Sequence, residues 1–428
     1  MLRAYILETG VTIAPFGDPA GASWIGGRTL KDQQTEEIKD AGLVPAYAVS
    51  TGALPAEGPY LLIPDYVYAS AACIAAFAAA AGKGGNAALC MPVSPVTEYP
   101  RPLSSAREVE APGAGRAIAY DLFSIGRLPA GCADAASLLA ALRESSALAP
   151  ISPDCTLLRR RHPNVGPPPY VTEVPRTLSM CAHVESWVHI LWLNHLLPAL
   201  RLERELRAGS GLQETLRRTA VSANVPGCVV RSLVGASLDA HPTSRIENSI
   251  VGSGARVGAR AYVKDCILGD DVVVGDGTRF VNCVVGDRCN SLSDSYFLHS
   301  TFYPDSSLSN LNMRHCVAGR NVFLTTGVIV FSESVTGPVH VLHRGRMQST
   351  GRHILGTCMG HEATLGIRAI FMPGLALPNG AIIVMPPGEG VHKIPECPDP
   401  KVPLCWDGGT LRPVRDVFPG YEPADTDR

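Results

Sequence analysis

The sequence predicts two architectures in one chain: an α/β sheet in the N-terminal part, followed by a three-sided coil of short strands. Three observations carry this. Residues 229–330 align with themselves in rows of seventeen: VVRSLVG at 229–235 returns as IENSIVG at 246–252, VKDCILG at 263–269 and FVNCVVG at 280–286. An internal repeat of this kind decides the architecture before local propensity is weighed. Within each row, apolar residues recur at steps of five, six and six. A helix needs three and four and a free strand needs alternation, so neither fits. A coil fits, in which each short strand points one residue inward and then turns a corner. Ahead of the repeat, apolar strand-like runs alternate with helical stretches, the pattern of an α/β sheet.

In chain order, residues 3–7 and 60–64 read as buried strands, and 87–91 as another. Residues 29–41 read as a helix with Leu30 and Ile38 on its apolar side and Gly42 as its stop. An Ala-rich helix ends near Gly82, with Ser70 or a neighbour as its cap. Pro and Gly thicken over 163–169, marking a linker or long surface loop. Residues 178–206 read as one long helix that packs the sheet against the coil or another subunit, with Pro198 as a kink site.

The inward positions of the coil start Val229, Val234, Ala240, Ile246, Val251 and Val257. They slip at Ser291 and resume at Phe297, Phe302 and Leu308. One residue is dropped before Met313, after which Leu324, Val330, Val335, Val341 and Met347 fit allowed steps. Residues 340–350 are compatible with a further coil or with a protruding hairpin turned at Gly345. The frame returns at Met359, Leu365, Phe371, Leu377 and Ile383. Glycines 235, 252, 258, 269, 275 and 286 follow inward residues, where a corner calls for positive φ. Ser232, Ser249, Cys266, Cys283, Ser300 and Cys316 form one column of small residues, suited to a tight interior corner. The expected domains are 1–177 for the sheet, 178–228 for the connecting helix and linker, 229–387 for the coil and 388–428 for a Pro-rich tail.

Composition excludes some classes. A net charge of −2 offers no strongly basic surface for nucleic acid. Thirteen cysteines, none in a C-x-x-C pair, read as free thiols in a reducing cytoplasm. Glu8 comes too early for a signal peptide, and the apolar run 69–81 is too short to span a bilayer.

The coil pattern resembles the hexapeptide-repeat, left-handed parallel β-helix family over 229–384. That family is dominated by acyltransferases and by C-terminal halves of sugar-nucleotide pyrophosphorylases, and its members commonly form trimers. The resemblance therefore implies a homo-oligomer, with a trimer favoured. A second resemblance lies in the first ninety residues. GGRTLKDQQTEEIKDAGL at 26–43 is similar to the segment of sugar-phosphate nucleotidyltransferases in which a Gly-Arg turn opens a helix, and LLIPDYVY at 61–68 to their strand ending in an acidic metal ligand. This implies Asp65 as a Mg²⁺ ligand and a sugar phosphate or sugar nucleotide as the bound molecule. The family's Gly-x-Gly-Thr-Arg phosphate loop is missing: GVTIAPFGDP stands at 10–19, without an Arg. Its Pro-Lys pair is replaced by ASWI at 22–25.

Candidate chemistry follows. Asp65 ends a strand of an α/β sheet, where ligands bind; its bland reading is a turn Asp. His299 and His315 fall at the same turn position on neighbouring coils, continuing a column of Asn248, Asp265 and Asn282. Stacked strands about 4.8 Å apart allow the two imidazoles to meet. In the acyltransferases a His acts as general base, with an acyl-CoA as a fitting donor, and His361 is a third candidate; the alternative is a surface ladder for His299 and His315 and an exposed corner for His361. Arg344 and Arg346, with Arg352, cluster at the interruption and suit an anionic substrate or a solvated loop. His183, His189 and His195 do not share a helix face and are not read as ligands. Three functions remain: a diverged nucleotidyltransferase-like protein, a hexapeptide-repeat acyltransferase, and a non-catalytic β-helix assembly protein.

Overall fold

The computed structural model describes residues 2–82, 84–162, 170–208, 228–309, 312–366, 369–384, 390–391, 402–407 and 410–420. The expected linker at 163–169 lies outside them. Contacts divide the described chain into two compact units: 2–13, 17–162 and 171–192 form one, and 14–16, 170 and 193 onward form the other.

The first unit is built on a mixed sheet. Its main strands are β1 (Arg3–Leu7), β2 (Val44–Ala48), β3 (Glu57–Pro64), β4 (Ala87–Pro92), β5 (Arg107–Ala111), β6 (Gly115–Arg127) and β7 (Ala147–Pro150), in the order β7-β4-β6-β3-β1-β2 with β5 on β6. β1 runs parallel to both β2 and β3, whereas β6 is antiparallel to β3 and β4. The apolar runs explain the central strands: Leu61, Leu62 and Leu122 are fully buried. α1 (Leu30–Asp40) begins at Thr29, whose side chain accepts from the Asp32 N–H, and ends before Gly42 at φ +77°. α2 (Ala71–Ala80) is capped by Ser70. A third helix, α3 (Ala135–Ser145), leads into β7.

The long helix starts later than the apolar stripe implies. α4 spans Trp187–Ala208 with Pro198 inside it. Ahead of it, Cys181–His183 is a strand, antiparallel to Val67–Ala69. The Glu185 N–H is taken by His189 Nδ1, which seats the first turn of α4 where the strand ends.

The second unit is the coil. Its strands pair parallel in three stacked sheets, with Ile246 opposite Val263 and Val251 opposite Leu268, a register of one row. The dropped residue is visible in the pairing of Phe297 with Met313. The inward column from Val234 to Ile383 forms one continuous core, with Phe280 stacked on Phe297 at 4.6 Å between ring centroids. The small column is buried too, and each member donates to the carbonyl two residues before it. Ser249 Oγ donates to the Glu247 carbonyl at 2.8 Å and accepts from the Cys266 N–H at 3.1 Å. Corner N–H groups that the sheets leave unpaired are thereby satisfied.

Two expectations fail in the coil. None of the six glycines has positive φ. They permit close approach instead: a Cβ on Gly275 would lie 2.6 Å from the Leu292 carbonyl carbon of the next turn. The left-handed conformation falls on Asn248, Asp265, Asn282, His299 and His315, at φ between 49° and 54°; these residue types tolerate it better than most. Val335 and Met347 are not inward, being 71% and 63% exposed. Residues 340–350 are a hairpin, His340–His343 against Arg346–Ser349, turned at Arg344 and Gly345, both with positive φ. The segment expected as a tail contributes structure, since Leu404–Asp407 adds to the coil parallel to Ile382–Val384 and Leu404 and Leu411 join the core.

From Leu193 onward, α4 belongs to the coil unit. Asn194 Nδ2 donates to Thr301 Oγ1 at 3.0 Å, and Arg201 and Glu205 line a groove with Leu233 and Ile250. Three strand steps separate Thr301 from Ile250, about 14 Å. The helix advances roughly 10–16 Å between the same contacts, so it lies along the stack. Among the described residues no helix is long and apolar enough to cross a membrane.

Candidate functional site

Asp65 sits directly after β3, and Thr9 just after β1. The chain leaves β1 for β2 on one side and returns to β3 on the other, so a topological switch point lies between β1 and β3. Ligands of open α/β sheets bind at the carboxyl ends of strands at such a point. Thr9 donates to Asp65 Oδ1 twice, from its N–H at 3.2 Å and its hydroxyl at 2.6 Å, and the Asp65 N–H donates to the Leu7 carbonyl. Among the described residues, Oδ2 has no hydrogen-bond partner. Burial raises the carboxyl pKa, with Glu8 adding to the rise and the Thr9 bonds opposing it.

The turn carrying Asp65 is held by groups that sequence reasoning passed over. Gln34 of α1 donates to the carbonyls of Pro64 and Val67. Tyr66 Oη donates to Asp121 Oδ2 at 2.5 Å, and Arg143 grips both oxygens of Asp121, from Nε at 2.8 Å and Nη2 at 2.6 Å. Burial pushes the Asp121 carboxyl up, but the Arg143 bonds, the neighbouring His183, the Arg143 charge and the Tyr66 hydroxyl together outweigh it and hold the group below the usual carboxylate range. The Asp121 N–H donates to His183 Nε2, which leaves Nδ1 as the N–H that faces Ser105 Oγ at 3.1 Å. Ser105 is then an acceptor of this bond, and His183 is no base for it.

The missing phosphate loop is accounted for by what occupies 10–19. Thr12–Ile13 pairs with Asp18–Pro19 as a short hairpin, and the N–H groups of Gly17 and Ala20 are spent on the carbonyls of Ile13 and Val11. They are not presented to an anion.

On the coil, His299 and His315 meet as their shared position implies, with ring centroids 4.9 Å apart. A third imidazole joins them: His195 of α4 lies 5.1 Å from His299 and 5.4 Å from His315. All three are part-exposed. Burial among protein atoms pushes the His195 pKa down to about 4; the bond to the His299 carbonyl opposes this and the Arg352 charge adds to it. Among the described residues no three His, Cys, Asp or Glu side chains gather in metal-holding geometry.

His361 is elsewhere and is not an exposed corner. It is 6% exposed, stacked on Phe16 at 4.8 Å, and its Nδ1 accepts the Arg320 N–H at 2.8 Å. That lone pair is already committed to the fold. Arg344 and Arg346 stand exposed at the hairpin turn. Burial pushes the Cys316 thiol of the coil up to about 12, which makes it a poor nucleophile.

A family model described as GlmU-like, C-terminal hexapeptide matches residues 217–296. This match and the stack of parallel strands both fit a hexapeptide-repeat β-helix. The match ends before His299, so it leaves the roles of His299, His315 and His361 open. No curated protein matches the chain.

Proposed function

We propose that this is a diverged sugar-phosphate nucleotidyltransferase-like protein that binds a sugar phosphate or sugar nucleotide at the end of β3. The observation that carries the reading is Asp65: a carboxylate at the switch point with one oxygen fixed by Thr9 and the other without a hydrogen-bond partner among the described residues. Mg²⁺ is commonly held by one or two carboxylates together with substrate phosphates, so Asp65 suffices for an ion that arrives with its ligand. Such an ion would neutralise phosphate charge. Binding is the proposed activity; nucleotidyl transfer would further need the phosphate cradle that the hairpin at 12–19 does not supply. The coil is read as left-handed and as the seat of a homo-oligomer, with a trimer favoured; exposed Phe323 and Phe331 support a contact surface there.

The test is thermal unfolding with MgCl₂ and a panel of sugar 1-phosphates and nucleoside-diphosphate sugars. A true ligand at a hundred times its Kd stabilises by about 2.7 kcal/mol, and Asp65→Asn should abolish the shift. The variant without ligand should melt no lower than wild type. A raised folded pKa means that stability is lost as pH rises through it, so at neutral pH the charged Asp65 is carried at a cost. No shift with any panel member, in wild type and variant alike, would remove this reading.

A second reading rests on the paired imidazoles. His299 and His315 share one part-exposed corner, which supports acyl transfer from an acyl-CoA with a His as general base; Arg344 and Arg346 would meet the anionic donor. With acetyl-CoA as probe, His299→Ala or His315→Ala should lower turnover by about 10²–10⁴-fold. His361→Ala should affect stability instead. Turnover insensitive to the first two changes would sink the acyl reading.

A further inference from the structure

Asp65 shares its surroundings with an ion pair. Gly21 is buried and has no side chain; a Cβ there would lie 3.5 Å from Asp65 Cβ and 3.7 Å from Lys31 Cβ. Asp65 and Lys31 therefore flank the same bare glycine. Lys31 Nζ donates to Glu8 Oε1 at 3.0 Å, and Glu8 directly precedes Thr9, the residue that fixes Asp65 Oδ1. The Glu8 charge is near enough to Asp65 to help raise that carboxyl. Lys31 Nζ also lies over the Tyr47 ring, 4.8 Å from its centroid, and Tyr47 Oη is tied to Thr35 Oγ1 at 2.6 Å. An ammonium already holding a carboxylate thus stands beside Asp65, which is 4% exposed and whose Oδ2 has no hydrogen-bond partner among the described residues.

From this geometry we infer that Lys31 is the phosphate contact of the site, and that the Glu8 carboxylate holds its place until the ligand's phosphoryl group displaces it. The inference deepens the reading of Asp65 as a ligand site and rests on it. A phosphoryl group bound beside Asp65 brings its charge next to two carboxylates, so it needs a cation of the protein. The stretch 10–25 contains no Lys or Arg, and Arg28 is turned to Glu36 at 3.6 Å. Lys31 is the second residue of α1, so an anion taken there also approaches the positive end of that helix. The exchange is easy. The side chains of Lys31 and Glu8 are 39% and 44% exposed, and pairs as open as this hold weakly. A phosphate monoester near neutral pH carries about two negative charges and three acceptor oxygens, against one charge and two oxygens for the carboxylate it replaces.

The exchange is tested on the full chain by the unfolding midpoint against ligand concentration, at neutral pH and fixed MgCl₂ and ionic strength. The probes are inorganic phosphate, glucose 1-phosphate and UDP-glucose. Lys31→Met should weaken binding roughly tenfold or more, the loss of one charge-assisted hydrogen bond, and Lys31→Arg should keep most of it. Glu8→Gln should tighten binding by about two- to fivefold, because the competing carboxylate is gone. Both changes break the Lys31–Glu8 pair, so a pair with a structural role alone would move the two variants in the same direction. Binding by glucose 1-phosphate with these opposite signs places a terminal phosphate at Lys31; the same result with UDP-glucose alone places a diphosphate there. A shift that Asp65→Asn abolishes but Lys31→Met leaves intact, or that Glu8→Gln weakens, overturns the inference and leaves the Asp65 reading standing. No shift with any probe removes both. A shift with inorganic phosphate alone that needs Lys31 but not Asp65 keeps the anion contact and removes the sugar-phosphate reading.

Discussion

Phe297→Ala is expected to destabilise the protein by about 3–5 kcal/mol, the range for emptying a buried aromatic site. Phe297 is fully buried, stacks on Phe280 and meets Phe302 edge-on at 5.3 Å. A coil limits repair, because each turn touches only its neighbours and no distant side chain can refill the space. Urea unfolding followed by far-UV circular dichroism measures the loss. Val273→Ala makes the contrast: its side chain lies on an exposed face of the same stack, and the expected change is within about 0.5 kcal/mol.

Asp121→Ala should cost about 3 kcal/mol, the low end for breaking a buried ion pair. The low end applies because the Arg143 side chain is 29% exposed and can reach water, whereas Asp121 is 5% exposed. The pH dependence has a definite sign. A folded pKa held below its unfolded value contributes stability above the unfolded pKa, and that stability is lost as pH falls through the folded one. Wild type should therefore lose stability on acidification below the usual carboxylate range, and Asp121→Ala should lose less over the same interval. Equal acid sensitivity of the two proteins would show that the Arg143 pair is not the source. Because Tyr66 is bound to Asp121, the variant should also loosen the turn that presents Asp65.

The coil was legible because its signal is periodic. Every inward position from Val234 to Leu324, apart from Ser291, lies in the core, since an in-phase apolar column has no other place to go. The corner glycines were misread for a physical reason: sequence shows a glycine but not whether backbone conformation or close approach requires it. Sheet strands and the Ser70 cap were readable from local chemistry. The start of α4 was not, because apolar residues at 178–186 fit a short buried strand as well as a helix turn. Asp121 carried a signal that was available: a lone carboxylate inside the apolar run at 117–125 must have a buried partner. Its identity, Arg143, is a tertiary fact. His195 was set aside because its helix neighbours share no face with it, while its partners lie 104 residues away on the coil. Asp65 was placed by its strand end, but its bond to Thr9 and its open oxygen needed the fold.

The central claim is that Asp65 marks a ligand site at the switch point. The most direct measurement is a crystal structure of the full chain soaked with MgCl₂ and whichever sugar phosphate or nucleotide sugar gives the largest thermal shift. Ligand density is expected at the carboxyl ends of β1 and β3, with Mg²⁺ or a ligand atom on Asp65 Oδ2. Ligand density confined to the coil, with Asp65 touching only Thr9, would contradict it.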